Sequence, residues 1–258
     1  MITLDDFVML GKTVPEEAKR TERVMVCSAG YSPTLRSLVR IYPLARRDAP
    51  EDWSINAVSL ERNPDDSRME SFRLVGDRSP GAHEVINRAF RRRGAVQAAA
   101  RAALFHKGVF VDSIREANER RLSLAIIKPK QMRFEFEYNP ESPESPELAL
   151  FEVDERPKFG AKRFPYIPRL VFVDGDGTER APMYREWGVF ELMRKHDYLV
   201  GMSGAERVRY VTQAVRLDES SSLLVGNLNN QRTAWIVIKV LNGLRSQQAL
   251  LDLDEAAA

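Results

Sequence analysis

The chain is short of the residues that build redox and metal chemistry. A single cysteine, Cys27, excludes an internal disulfide and any multi-cysteine zinc site. Three histidines, far apart in sequence, argue against a histidine-rich metal centre. No apolar run approaches the roughly 18 residues that a membrane-crossing helix needs, so no membrane partner is expected. The opening Met1-Ile2-Thr3-Leu4-Asp5-Asp6 is acidic and lacks the apolar core of a signal peptide, which predicts a cytoplasmic protein. Neither G-x-x-x-x-G-K-[ST] nor G-x-G-x-x-G occurs, so no phosphate-cradling loop is predicted and no cofactor is expected. Net charge is also small, +2 over 258 residues.

What is present is a core-forming composition and an uneven distribution of charge. Hydrophobic residues make up 43%, enough to bury a sizeable core in one large or two small domains. Of the 39 cationic residues 30 are arginine, which grips phosphate in a bidentate fork and stacks on bases where lysine cannot. From Arg88 to Arg133 there are 12 cations and 3 acids; from Phe134 to Glu155 there are 8 acids and no cation. Such asymmetry suggests a polyanion-binding surface beside an acidic strand and loop, unless the two blocks neutralise each other in the fold.

Local patterning predicts an α+β chain: two small antiparallel β modules of barrel-like form (1–78 and 122–258) flanking a basic helical segment (79–121). Strands are expected at Val24–Ala29, Leu35–Pro43, Trp53–Leu60 and Met69–Val75. Ser79-Pro80 reads as a helix start, followed by a helix to about Arg93 and a second, alanine-rich one from Ala95 to Lys107. Asp112-Ser113 opens a short helix through Arg121. Arg133–Tyr138 alternates strictly, as a half-buried strand does. Further helices are expected at Pro182–Lys195 and Gly204–Leu217, and a final buried strand pair at Ser222–Leu228 and Thr233–Leu241.

Candidate sites follow from residue chemistry. Arg88, Arg91, Arg92, Arg93, Arg101 and Lys107 could project onto a phosphate backbone, where counterion release drives binding without base contacts. Arg36, Arg40, Arg46 and Arg47, interleaved with Tyr31, Tyr42 and Trp53, suit the stacking of single-stranded bases on a β surface. Asp65, Asp66 and Glu70 resemble the carboxylates of a metal-dependent nuclease, but the lysine such a site uses is replaced by Arg73. Asp174-x-Asp176-Gly177 begins like a calcium loop, yet Arg185 stands where a bidentate glutamate is required, so a plain β-turn is expected. Arg40 and Arg68 each need either an internal carboxylate partner, such as Glu70, or an anionic ligand.

Three segments occur in a recognisable order: Cys27-Ser28-Ala29-Gly30, Val39-Arg40-Ile41-Tyr42-Pro43, and Asn63-x-x-Asp66-x-Arg68-x-Glu70-Ser71. Lys128-Pro129 ends a strand, and Leu224-Val225-Gly226-Asn227 precedes Trp235-Ile236-Val237-Ile238. In this the chain resembles a family of uncharacterised prokaryotic proteins associated with mobile-element and defence neighbourhoods. Members of that family carry a Cys–His segment before a Trp-Glu pair. Here Gly175 to Trp187 holds neither residue and Trp187 is followed by Gly188, so no metal or catalytic role carries over. The resemblance implies no activity of its own. Together these readings predict a non-catalytic nucleic-acid-binding subunit of a defence or mobile-element complex, with protein partners and weak sequence preference. The competing expectations are a metal-dependent enzyme using Asp65, Asp66 and Glu70, and a protein-binding adaptor using the acidic 141–155 segment.

Overall fold

The computed structural model describes residues 1–18, 23–45, 48–76, 89–142, 144 and 160–244. Its first half is a closed barrel of five strands: β1 (Ile2–Lys12), β3 (Arg23–Ser32), β4 (Ser37–Ala45), β5 (Ser54–Arg62) and β6 (Ser71–Leu74), with the short β2 (Glu16–Ala18) attached to β3. The order around the wall is β1-β3-β4-β6-β5 and back to β1; all contacts are antiparallel except β4–β6. This is the connectivity of the Greek-key OB barrel.

Strand β1 explains why the barrel does not stand alone. Its run Phe7-Val8-Met9-Leu10 is apolar on both faces of the pleat, and successive side chains of a strand point opposite ways. Phe7 and Met9 enter the barrel interior with Val26, Val39, Ile41, Val58 and Leu60. Val8 and Leu10 point outward and pack with Ala29, Tyr31 and Leu38 against a second sheet. Gly30 permits the tight wall: a Cβ there would lie 2.3 Å from the Phe7 ring and 2.4 Å from the Val8 carbonyl oxygen. Sequence patterning does not single out β1, because a run buried on both faces lacks the alternation that marks a strand.

The second sheet takes the order β14-β13-β9-β8, from β8 (Phe110–Val111), β9 (Leu124–Ile127), β13 (Ser222–Asn227) and β14 (Trp235–Leu241). It is the middle layer of three. Leu124, Ile126, Leu224 and Ile238 face the barrel. Ala125, Ile127, Leu223, Val225 and Val237 face a third layer. That layer is a sheet of β10 (Gln131–Tyr138), β11 (Tyr166–Val173) and β12 (Glu179–Arg180), with α2 (Trp187–Lys195) and α3 (Gly204–Val215). The alternation expected of Arg133–Tyr138 holds as far as Glu137, with Phe134 buried and Phe136 half-buried between exposed Arg133, Glu135 and Glu137, while Tyr138 is exposed; β10 pairs with β11 residue for residue from Gln131↔Val173 to Tyr138↔Tyr166. The short helix after Asp112-Ser113 is α1 (Ile114–Glu119), capped by the Ser113 side chain. Asp174 to Gly177 is a turn, closed by Gly177 N–H donating to the Asp174 carbonyl at 3.0 Å.

The expected basic helices take another form. Phe90–Ala95 is a strand, β7, paired with Ser54–Val58 of β5. Ala98 to Val109 runs through three short 3-10 turns rather than one helix. Alanine favours helix only by fractions of a kcal/mol per residue. Against that, β6 pairs only with Leu60–Arg62 of β5, which leaves an open edge along Ser54–Val58, and Phe90 packs 6.2 Å from the Phe7 ring. Phe105 wedges among Tyr31, Trp53 and Phe110 with ring centroids 5.0 to 6.4 Å apart, which holds the 3-10 path in place. The predicted helix start at Ser79-Pro80 lies outside the described residues.

Candidate nucleic-acid interface and the buried arginine seam

The motif residues scattered over 200 positions meet where the barrel touches the second sheet. Arg40 points outward from β4 and is only 2% exposed. Its Nη2 donates to the Ser123 carbonyl at 2.7 Å and its Nη1 to Cys27 Sγ at 3.2 Å. Glu70 answers from the other side: its Oε1 accepts from Ser123 N–H at 2.8 Å and its Oε2 from the Ser123 hydroxyl at 3.0 Å. Gly226 has no side chain because a Cβ would stand 3.0 Å from Arg40 Nη2 and 2.9 Å from Ile238 Cδ1. The Arg40 surface expected from the sequence is therefore an interior contact.

Arg68 is buried beside it at 6% exposure. Its Nε and Nη2 grip Asp66 at 2.8 and 2.5 Å, and its Nη1 donates to the Asn227 carbonyl at 2.7 Å. Ser71 Oγ donates to the same carboxylate at 2.7 Å. Burial alone would raise the Asp66 pKa; these donors outweigh it and hold it at about 2. Asn63 donates to the Tyr42 carbonyl at 2.9 Å, tying the 63–71 turn back to β4. Arg68 thus has an internal carboxylate, Asp66 rather than Glu70, whereas Arg40 donates to a carbonyl and a sulfur and its buried Nε lacks an acceptor among the described residues. Asp66 and Glu70 are spent on structural hydrogen bonds. Among the described residues, no three His, Cys, Asp or Glu side chains are placed to hold a metal ion.

The exposed arginines lie elsewhere. Arg91, Arg92 and Arg93 are all solvent-exposed on β7, which pairs only with β5 among the described strands. Arg92 meets Glu51 at 3.1 Å and Arg93 meets Asp5 at 3.3 Å, all four side chains being largely in water. Lys107 is exposed in a 3-10 turn, and Arg36 is exposed in the β3–β4 turn at φ 51°. Tyr42 is partly exposed on β4, whereas Tyr31 and Trp53 are core. The stacking platform expected around Arg36 to Arg47 is thus covered by the second sheet at its Tyr31 and Arg40 positions. Arg88, Arg46 and Arg47 lie outside the described residues, as do positions 145–155 of the acidic segment.

Arg101 behaves differently from the other predicted cations. It is half-buried, with its guanidinium 4.3 Å above the Trp53 ring. Nearby sits a charge cluster that sequence reading does not find. Lys239 of β14 donates to Asp52 at 2.5 Å and to Glu186 at 2.7 Å, and Lys12 lies 3.9 Å from Asp52. Burial would lower the Lys239 pKa, but the two carboxylates outweigh it and raise it. The Tyr184 hydroxyl donates to Glu186, and burial first, then that carboxylate, pushes its pKa well up. Lys239 and Asp52 are 187 positions apart. No local pattern joins them; a lone lysine in the apolar Trp235–Leu241 strand is the one available signal.

Residues 4–101 match a family model described as a domain of unknown function, DUF8758. The match spans the barrel, β7 and the first 3-10 turn, ending at Arg101. No curated protein matches the chain. No helix among the described residues is long and apolar enough to cross a membrane.

Proposed function

We propose that the chain is a non-catalytic nucleic-acid-binding subunit that holds the phosphate backbone with the arginines of β7. In the setting its resemblance implies, it would serve a prokaryotic defence or mobile-element assembly. The observation that carries the reading is Arg91-Arg92-Arg93, three consecutive exposed arginines on an edge strand of the barrel. Their partners are weak: exposed pairs such as Arg92–Glu51 and Arg93–Asp5 are worth about 0–1 kcal/mol, so phosphate oxygens can displace the carboxylates. Arginine also offers phosphate a bidentate fork. The OB connectivity is compatible with this, since such barrels bind oligonucleotides, although a fold by itself does not assign a function. Because the outer face of β3 and β4 is packed on the second sheet, the reading rests on backbone neutralisation and not on base stacking.

Fluorescence anisotropy with labelled DNA and RNA, single and double stranded, across a salt series tests it. Three phosphate contacts give a slope of log K against log salt near −2.7 on duplex DNA, or about −2.1 on a single strand. Replacing Arg91 and Arg93 by alanine should flatten the duplex slope by about 2 and weaken all sequences nearly equally. Undetectable binding at low salt, or an unchanged slope in the double variant, refutes the proposal.

A further inference from the structure

A cavity of about 380 Å³ opens where all three layers meet, between Trp53 of the barrel, α2, the end of α3 and β14. Its volume falls in the range of small-molecule sites. Part of its wall is apolar, from residues such as Leu192, and part is charged, from Arg101, Glu186, Arg216 and Lys239. Lys12, Asp52, Glu186 and Lys239 form a closed group of two cations and two anions, as their mutual contacts indicate. Arg101 and Arg216 remain, with no carboxylate partner for either among the described residues, so the cavity carries surplus positive charge.

Arg101 is the less ordinary of the two. A guanidinium taken out of water is normally paired, because its desolvation is costly. Here its flat face is covered by the Trp53 ring at 4.3 Å, which supplies cation–π attraction but accepts no hydrogen bond along the guanidinium edge. Its Nε is buried and lacks an acceptor among the described residues. Burial with no opposing carboxylate pulls its pKa below the ordinary arginine value. Arg216 is exposed at the end of α3 in the left-handed conformation (φ 54°) and lines the same cavity.

We propose that this cavity binds a small oxyanion of nucleotide size, its phosphoryl group held by Arg101 and Arg216 and its body laid along the apolar wall. Charge-assisted hydrogen bonds from arginine suit a phosphoryl group. Glu186, already engaged with Lys239 and the Tyr184 hydroxyl, disfavours a second anionic group on that side, so a monophosphate fits better than a polyphosphate. The inference is separate from backbone binding by β7. The turn Glu51-Asp52-Trp53 stands between the two places, with Glu51 paired to Arg92 and Asp52 to Lys239.

Calorimetric titration of the full chain with AMP, adenosine and inorganic phosphate tests the proposal. AMP should bind saturably with a Kd below about 1 mM, the level expected of a few good polar contacts. Adenosine should not bind, and phosphate should bind more weakly than AMP. Arg101→Gln should weaken AMP at least about tenfold. Arg216→Gln, which changes an exposed side chain while its backbone N–H can still cap α3, should weaken it by several-fold. Four results would overturn the site: no saturable AMP binding, adenosine binding as well as AMP, phosphate binding as well as AMP, or full affinity in folded Arg101→Gln and Arg216→Gln proteins.

Discussion

Asp66→Ala should destabilise the protein by about 3–5 kcal/mol without touching any exposed arginine. The carboxylate accepts from Arg68 Nε at 2.8 Å, Arg68 Nη2 at 2.5 Å, the Arg68 backbone N–H at 3.1 Å and Ser71 Oγ at 2.7 Å. Truncation leaves a guanidinium that is 6% exposed facing an empty site, with one remaining bond to the Asn227 carbonyl. The dominant cost is that stranded charge; the hydrogen bonds themselves are worth less. Replacing both partners, as Asp66→Leu with Arg68→Met, should therefore cost less than Asp66→Ala alone. The pH dependence carries a second signature. Asp66 is held at about 2 against an ordinary 3.8, so the folded state favours its ionised form. A depressed carboxylate contributes stability that is present above pH ~4 and disappears as pH falls towards ~2, on the order of 2 kcal/mol. Urea unfolding followed by tryptophan fluorescence from pH 7 down to pH 3 measures both effects. Asp66→Asn should reduce the acid-side loss. A destabilisation below about 1 kcal/mol in Asp66→Ala, or an Asp66→Asn curve parallel to wild type, would rule out a stranded Arg68 charge as the cost.

Gly226→Ala should lower stability by about 1–3 kcal/mol, since its Cβ would meet Ile238 Cδ1, Arg40 Nη2 and Leu124 Cδ2 at 2.9 to 3.1 Å in a packed seam; a melting temperature equal to wild type would contradict it. Gly30→Ala should be worse, because the Val8 carbonyl oxygen 2.4 Å from the new Cβ is backbone and cannot swing aside, and a soluble, cooperatively melting variant would count against the close approach. Lys239→Met should leave Asp52 with Lys12 at 3.9 Å and Glu186 with the Tyr184 hydroxyl, and cost about 2–3 kcal/mol at neutral pH. Its ammonium is held above the ordinary 10.5, so wild-type stability should fall as pH rises past that value while Lys239→Met loses this component; identical alkaline profiles would refute the ion cluster.

The segments legible in the sequence are those whose shape is settled by neighbours three or four positions away. The alternation of Arg133–Tyr138, the Ser113 cap, the helix that begins at Gly204 and the Asp174–Gly177 turn all belong here. Residue type marks Arg68 as needing a carboxylate or an anionic ligand; the structure supplies Asp66, two residues away, while Glu70 turns to Ser123. Residue type alone also marks Arg40 as needing a partner, but not which one: Ser123 arrives from 83 positions downstream. Only tertiary structure turned Arg91-Arg92-Arg93 from a helix face into an edge strand, because the open edge of β5 and a seat for Phe90 beside Phe7 outweigh a few tenths of a kcal/mol of helix preference. Only tertiary structure, too, covered the outer face of β3 and β4, burying Arg40 and Tyr31, and separated Arg101 from the other basic residues by laying it on Trp53. Hydrogen-bond chemistry and pleat are local and readable along the chain; which face meets water is decided by what packs against it, and in this protein the packing partner of the barrel is encoded more than 80 residues further on.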